Sequence, residues 1–193
     1  GKTIQAIGFV NAHPEAENVI VVTKATLKIN WWRECRRWLV SPTLRNSIGI
    51  VEGKTFPSTN VVIINYDITH KCKARLHDRN WDVVILDESH LLKNPATRRA
   101  KSICGYKPKR DEPAELADSG IPARCKLALT GTPIENRIEE LWTVLWWLDR
   151  EKFPSKWKLL KLCENRYVPG VGQSGASNRG LSRLQLFLLE NIM

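Results

Sequence analysis

No stretch of this sequence approaches the ~20 consecutive apolar residues that a membrane-spanning helix requires, and its first residues lack the charged, apolar and small-residue layout of a secretory signal. Both absences lead to the expectation of an intracellular protein with no membrane partner. Cysteine is sparse and unpaired in pattern. Cys35, Cys72, Cys104, Cys125 and Cys163 are odd in number and widely spaced, with no C-x-x-C pair. That excludes a disulfide framework and a zinc site of ordinary spacing, and reads as reduced thiols. Acidic residues are in deficit, with 20 Asp and Glu against 30 Lys and Arg, a formal net charge of +10 and a pI near 9.6. Such an excess suits a polyanionic partner, because phosphate neutralisation dominates nucleic-acid affinity. Solubility alone accounts for it equally well. With 193 residues, 42% of them hydrophobic and 26% charged, the chain is an ordinary globular one, long enough to bury roughly 70% of its unfolded surface.

What is present centres on Trp81-Asp82-Val83-Val84-Ile85-Leu86-Asp87-Glu88-Ser89-His90. The run Val83 to Leu86, β-branched at most positions, suits a strand covered on both faces, as in a parallel α/β sheet. Asp87 and Glu88 then fall at its carboxyl end, the edge of such sheets where ligands bind. Adjacent carboxylates there are what nucleotide hydrolysis requires, one to hold Mg²⁺ and one to orient or deprotonate water. Taken alone, the same run also reads as a strand leaving through an acidic turn.

The flanking segments bear on that choice. Gly1-Lys2-Thr3 runs into the apolar-periodic Ile4, Ile7 and Val10, matching the end of a G-x-x-x-x-G-K-[ST] phosphate loop that opens a helix. Asn18 to Val22 and Val61 to Ile64 read as further buried strands, Ile48 to Val51 as a short one, and Lys126 to Leu129 as another. Thr23 or Thr26 is expected to cap a helix whose core stripe is Leu27, Trp31, Cys35, Trp38 and Leu39. Its interleaved arginines are expected to form a solvated face in preference to a base-stacking one. A basic helical stretch carries Lys71, Lys73, Arg75 and Arg79, and Ala96 to Cys104 is expected to be helical. Gly105 to Ala123, without periodicity, reads as a surface loop. A helix beyond Thr132 is expected to present Ile134, Ile138, Leu141, Trp142, Leu145 and Leu148 as its apolar face. His13, His70 and His77 are expected at the solvent surface, and Lys152 to Arg166 as an amphipathic helix. Alternating strands and helices predict an α/β fold with a mostly parallel sheet and helices on both faces. The strand ends GKT, TKAT, NYD, DESH and TGTP would then line one edge.

In that order, Gly1-Lys2-Thr3, Asn30-Trp31 with Glu34, Asn65-Tyr66-Asp67, Asp87-Glu88-Ser89-His90 with Lys93-Asn94, and Leu129-Thr130-Gly131-Thr132-Pro133-Ile134-Glu135-Asn136-Arg137 with Glu140-Leu141-Trp142 resemble the motifs of the Swi/Snf-type DNA translocases of helicase superfamily two. The resemblance covers essentially the whole chain, and its last block is the most specific. The stretch from Gly175 to Met193 is similar to the segment preceding the second motor lobe, in the manner of the annealing-helicase-like subgroup.

The resemblance implies a RecA-like P-loop NTPase lobe over residues 1–150, with a helical extension over 151–193 leading toward a second RecA-like lobe. It implies an ATP-dependent motor on double-stranded DNA, with ATP and Mg²⁺ as cofactors. Gly1, Lys2 and Thr3 would bind the nucleotide, with Lys2 on the β/γ-phosphates. Thr3 and Asp87 would hold the metal, Glu88 would activate water, and His90 with Thr130, Gly131 and Thr132 would couple nucleotide state to DNA. Thr23, Lys24, Asn65, Tyr66, Asn136 and Arg137 would lie near the DNA backbone. Ser89 stands where many relatives carry Ala or Gly. The first half of the phosphate loop and the second-lobe arginine are not in this sequence, so a segment of a longer enzyme, by itself a poor ATP binder, is expected. A non-catalytic nucleic-acid-binding lobe and a nuclease-coupled helicase subunit are the alternatives.

Overall fold

The computed structural model describes residues 1–53, 55–106, 108, 118–132 and 138–163. Its helices are α1 (Lys2–Asn11), α2 (Lys28–Trp38), α3 (Pro42–Asn46), α4 (Lys73–His77), α5 (Arg98–Cys104), α6 (Trp142–Leu148) and α7 (Lys156–Cys163). Its strands are β1 (Val19–Thr23), β2 (Ile48–Ile50), β3 (Val61–Asn65), β4 (Trp81–Asp87) and β5 (Ala123–Leu129). They form one 5-stranded sheet in the order β2-β3-β1-β4-β5, and every pairing is parallel.

The apolar runs explain this layout. β1 and β3 are buried at every residue, which a strand tolerates only when both faces are covered. Because side chains alternate, one strand feeds two cores. Val19, Val21, Val61, Ile63, Val83 and Ile85 pack with Ala6, Ile7 and Val10 of α1, Trp31 and Cys35 of α2, and Leu44 of α3. Ile20, Val22, Val62, Ile64, Val84 and Leu86 face the other way, onto Leu76, Ala100, Ile103, Val144 and Trp147. Helix starts follow local chemistry where a cap is available. Ser41 accepts from the Leu44 N–H with Pro42 in the first turn of α3, and Thr97 accepts from the Ala100 N–H at the start of α5.

Several expectations need correction. Neither Thr23 nor Thr26 caps α2, which is entered through a 3-10 turn over Ala25–Leu27. Trp31, Cys35 and Leu39 are core residues, but Trp38 is 41% exposed; its indole N–H donates to Glu34 and its ring carries Arg37. α6 is buried from Thr143 to Trp147, so Val144, Trp146 and Trp147 join a core that the stripe reading assigned elsewhere. The reason is enclosure: α5, β5 and the 3-10 turn after β4 all contact this helix. His13, His70 and His77 are half-buried, and His77 contacts the Ser102 carbonyl and Asp118.

Gly105 and Gly120 have φ of 85° and 74°, the left-handed region that favours glycine. Between them Tyr106 and Asp118 exchange backbone hydrogen bonds of 2.9 Å each. Arg150 closes the same point by donating to the Cys104 and Ser119 carbonyls at 2.6 and 2.8 Å. Ala123, expected in a loop, begins β5. Phe153 and Leu159 are fully buried, so the start of the expected helical extension packs on the sheet-bearing unit. Among the described residues no helix is long and apolar enough to cross a membrane. Asn136, Arg137 and the 175–193 stretch lie outside the described residues.

Candidate functional site

The parallel register brings the strand ends together. Thr23 pairs with Asn65 and Asp87 with Leu129, so β1, β3, β4 and β5 finish along one edge.

At its centre is Asp87, 5% exposed. Its Oδ2 accepts from the Thr23 hydroxyl at 2.9 Å and from the Trp31 indole N–H at 2.8 Å. Its backbone carbonyl accepts from the Tyr66 hydroxyl at 2.7 Å. Burial first, then the neighbouring Asp87 carboxylate, raises the Tyr66 phenol well above its ordinary value, which keeps it a donor. A buried carboxylate costs several kcal/mol unless such donors surround it.

Glu88 follows with φ 54° and ψ 49°, the positive-φ residue among the described non-glycine residues. A left-handed conformation costs an L-residue about 1–2 kcal/mol. The reversal it produces turns consecutive carboxylates to different partners. Asp87 reaches the buried donors, while Glu88 Oε1 lies 3.4 Å from Lys2 Nζ and Oε2 lies 3.2 Å from His90 Nδ1. His90 Nδ1 is also 3.2 Å from the Thr130 hydroxyl, which accepts from the Thr132 N–H at 3.1 Å. A Cβ on Gly131 would come within 3.2 Å of Lys2 Nζ. Lys2, Glu88, His90 and the 130–132 loop thus form one continuous polar chain from α1 to the end of β5.

α1 has Gly1, which carries no side chain, as its N-cap and no acid in its first turn. Its leading N–H groups lack intrahelical partners and present positive partial charge, a combination that receives anions. Nucleotide and Mg²⁺ chemistry fits these residues: the lysine is 37% exposed beside uncapped amides, and Asp87 Oδ1 has no hydrogen-bond partner among the described residues.

Gly1, Lys2, Thr3, Asp87, Glu88, His90, Thr130, Gly131 and Thr132 therefore lie toward the expected edge, with contacts joining Lys2, Glu88, His90 and Thr130 directly. The residues expected near DNA divide. Lys24 is exposed. Thr23 and Tyr66 are buried, with their hydroxyls committed to Asp87, so direct side-chain contact with a DNA backbone does not fit them. Asn65 is also buried. The bonds of Thr23, Trp31 and Tyr66 to Asp87 went unforeseen, although Trp31 and Tyr66 sit in the motif segments and Thr23 in the strand end TKAT. No local spacing signals a contact between residues 56 or 64 positions apart.

A parallel sheet covered on both faces, with its polar chemistry gathered at the carboxyl edge, is a RecA-like α/β lobe. Residues 1–190 match the SNF2-related domain family, and the chain belongs to that family, the Swi/Snf-type group of helicase superfamily two. It is 32% identical, over 100% of its own length, to the SWI/SNF-related matrix-associated actin-dependent regulator of chromatin subfamily A-like protein 1 of Xenopus laevis. It is 30% identical, over 75% of its length, to the DNA excision repair protein ERCC-6-like of Danio rerio. The chain spans 19% and 10% of those relatives. Among solved structures it resembles the Sulfolobus solfataricus SWI2/SNF2 ATPase core in complex with dsDNA, with TM-score 0.66 and 19% identity, over 96% of this chain and 36% of that one. The likeness is one of fold.

Proposed function

We propose that this chain is the first motor lobe of an intracellular, DNA-dependent ATPase that moves along double-stranded DNA, with residues 1–150 as the RecA-like lobe and 151–193 leading to a second lobe of the same protein. The observation that carries the reading is the division of labour at the end of β4, where a buried, donor-held Asp87 is followed by a left-handed Glu88 aimed at Lys2 and His90. The solved relative bound to dsDNA supports the choice of polymer.

When bound, Mg²⁺–ATP supplies the bond to be cleaved and the cation that neutralises its phosphate oxygens. Lys2 exchanges its weak, partly exposed contact with Glu88 for phosphate oxygens, aided by the uncapped amides of α1. Asp87 and the Thr3 hydroxyl would hold the metal, which would supply positive charge to the phosphate oxygens. Glu88, relieved of Lys2 and oriented by His90, takes the proton of the attacking water on its carboxylate. His90 moves with Glu88, and through Thr130 passes that shift to the 130–132 loop. Lys24, exposed at the end of β1, contacts DNA phosphates, with Asn136 and Arg137 assigned the same role by their motif. Thr23, Asn65 and Tyr66 anchor that surface from beneath.

The test is Glu88→Gln in the full-length protein. ATP affinity is expected to remain while DNA-stimulated turnover falls at least 10²-fold, within the range of a lost general base. A variant hydrolysing ATP at the normal rate, or a wild-type protein indifferent to duplex DNA, would refute the proposal.

A further inference from the structure

We infer that Trp31, together with Thr23, is a positioning residue for the metal-binding carboxylate, fixing Asp87 so that Oδ1 alone is presented to the cation. The inference rests on the proposed role of Asp87.

Trp31 comes from α2 and Thr23 from the end of β1, and both donate to the same oxygen, Oδ2, at 2.8 and 2.9 Å. A carboxylate has two oxygens and could have taken one donor on each. Loading both on Oδ2 fixes the carboxylate plane and leaves the other oxygen unclaimed. The Tyr66 hydroxyl holds the backbone of the same residue through its carbonyl, so side chain and main chain are fixed independently. Trp31 is 1% exposed, and an indole N–H donates only. Its N–H does not ionise near neutral pH and is shut off from solvent, so beyond the ring's packing in the core orientation is the work available to that group. Hydrogen-bond partners of metal-ligating side chains typically change metal affinity 10–100-fold when removed.

A purely structural role makes a different prediction. Loss of packing around β4 would weaken nucleotide and metal binding together, because Glu88 and Lys2 belong to the same edge. Loss of orientation would weaken the metal alone.

The experiment uses the full-length protein and Mn²⁺ as the probe, its binding followed by electron paramagnetic resonance with ADP present. ADP affinity is measured separately in EDTA. Trp31→Phe keeps an aromatic ring but removes the donor with the pyrrole half of the indole, and is expected to weaken Mn²⁺ about 10-fold or more while leaving metal-free ADP affinity unchanged. Thr23→Val is expected to act in the same direction and Thr23→Ser to restore binding; this pair decides the matter if Trp31→Phe does not fold. Asp87→Asn separates the two levels of the argument. If Asp87→Asn binds Mn²⁺ normally, the assignment of Asp87 fails and the inference with it. If Asp87→Asn loses Mn²⁺ while Trp31→Phe and Thr23→Val bind as wild type, or lose Mn²⁺ and ADP in equal measure, the positioning role alone is overturned.

Discussion

The left-handed backbone of Glu88 allows function and stability to be set against each other at one residue. Replacing Glu88 by Gln or by Gly removes the negative charge in either case, so the ionic part of the contacts with Lys2 and His90 is lost from both variants and cancels in their comparison, leaving Gln at most a neutral, partly exposed hydrogen bond. What differs is the backbone. Gln remains an L-residue at φ 54° and carries the strain of about 1–2 kcal/mol. Gly adopts this region freely but loses about 0.5–1 kcal/mol through the extra freedom of the unfolded chain. The central values leave Gly the more stable by about 0.75 kcal/mol, within a span of about 0–1.5 kcal/mol. At this chain length that corresponds to roughly 1–4 °C in Tm. Thermal unfolding of the two variants by circular dichroism reads the shift, and an ATPase assay is expected to find both inactive. A Gly variant melting at or below the Gln variant would refute the strain argument and leave the left-handed turn without energetic consequence.

Two further outcomes are expected. Burial pushes the Cys35 and Cys104 thiols up to about 12, leaving a thiolate fraction of about one in ten thousand at pH 8; iodoacetamide with mass mapping should modify them only in denaturant, and rapid labelling of the native protein would contradict this. At Asp118, burial raises the carboxyl but hydrogen bonds from Lys73 and the Gly120 N–H, with the charges of His77 and Lys73, bring it below its ordinary value of 3.8. A depressed carboxylate contributes stability above its unfolded value and loses it as pH falls through the folded one. Asp118→Asn should therefore cost about 1 kcal/mol at pH 7 and flatten the acid side of the urea-stability profile below pH 3.8, whereas parallel wild-type and variant curves would contradict the assignment.

The sheet was legible because parallel strands covered on both faces are written as unbroken apolar runs. Val61 to Ile64 and Val83 to Leu86 admit little else. The α/β class and the single functional edge followed from their alternation with helical segments. The 3-10 turns after β1, β3 and β4 were not legible, since their residues have no distinctive spacing. α6 misled because a stripe rule presumes a solvent side, and Val144, Trp146 and Trp147 have none to face. At the site, residue types and order pointed to Lys2, Asp87, Glu88 and His90 as candidates, but not to who holds whom. Thr23 and Tyr66 were placed near the DNA backbone by the resemblance of their motifs, while their hydroxyls are turned inward by contacts formed only once three separate elements meet.

The closure at Tyr106 and Asp118 has a bearing on how such a chain can diversify. Tyr106 and Asp118 are joined by a reciprocal pair of backbone hydrogen bonds, fastened by Arg150 and by glycines whose added Cβ would meet the carbonyl oxygens of Asp118 and Ile103. Length between those two residues is therefore decoupled from Ile103 and Ile121 on either side, and each doubling of it adds only about 0.6 kcal/mol of closure entropy. A change of length at this point is therefore expected to leave the register of β4 with β5, and with it the polar edge of the sheet, unchanged.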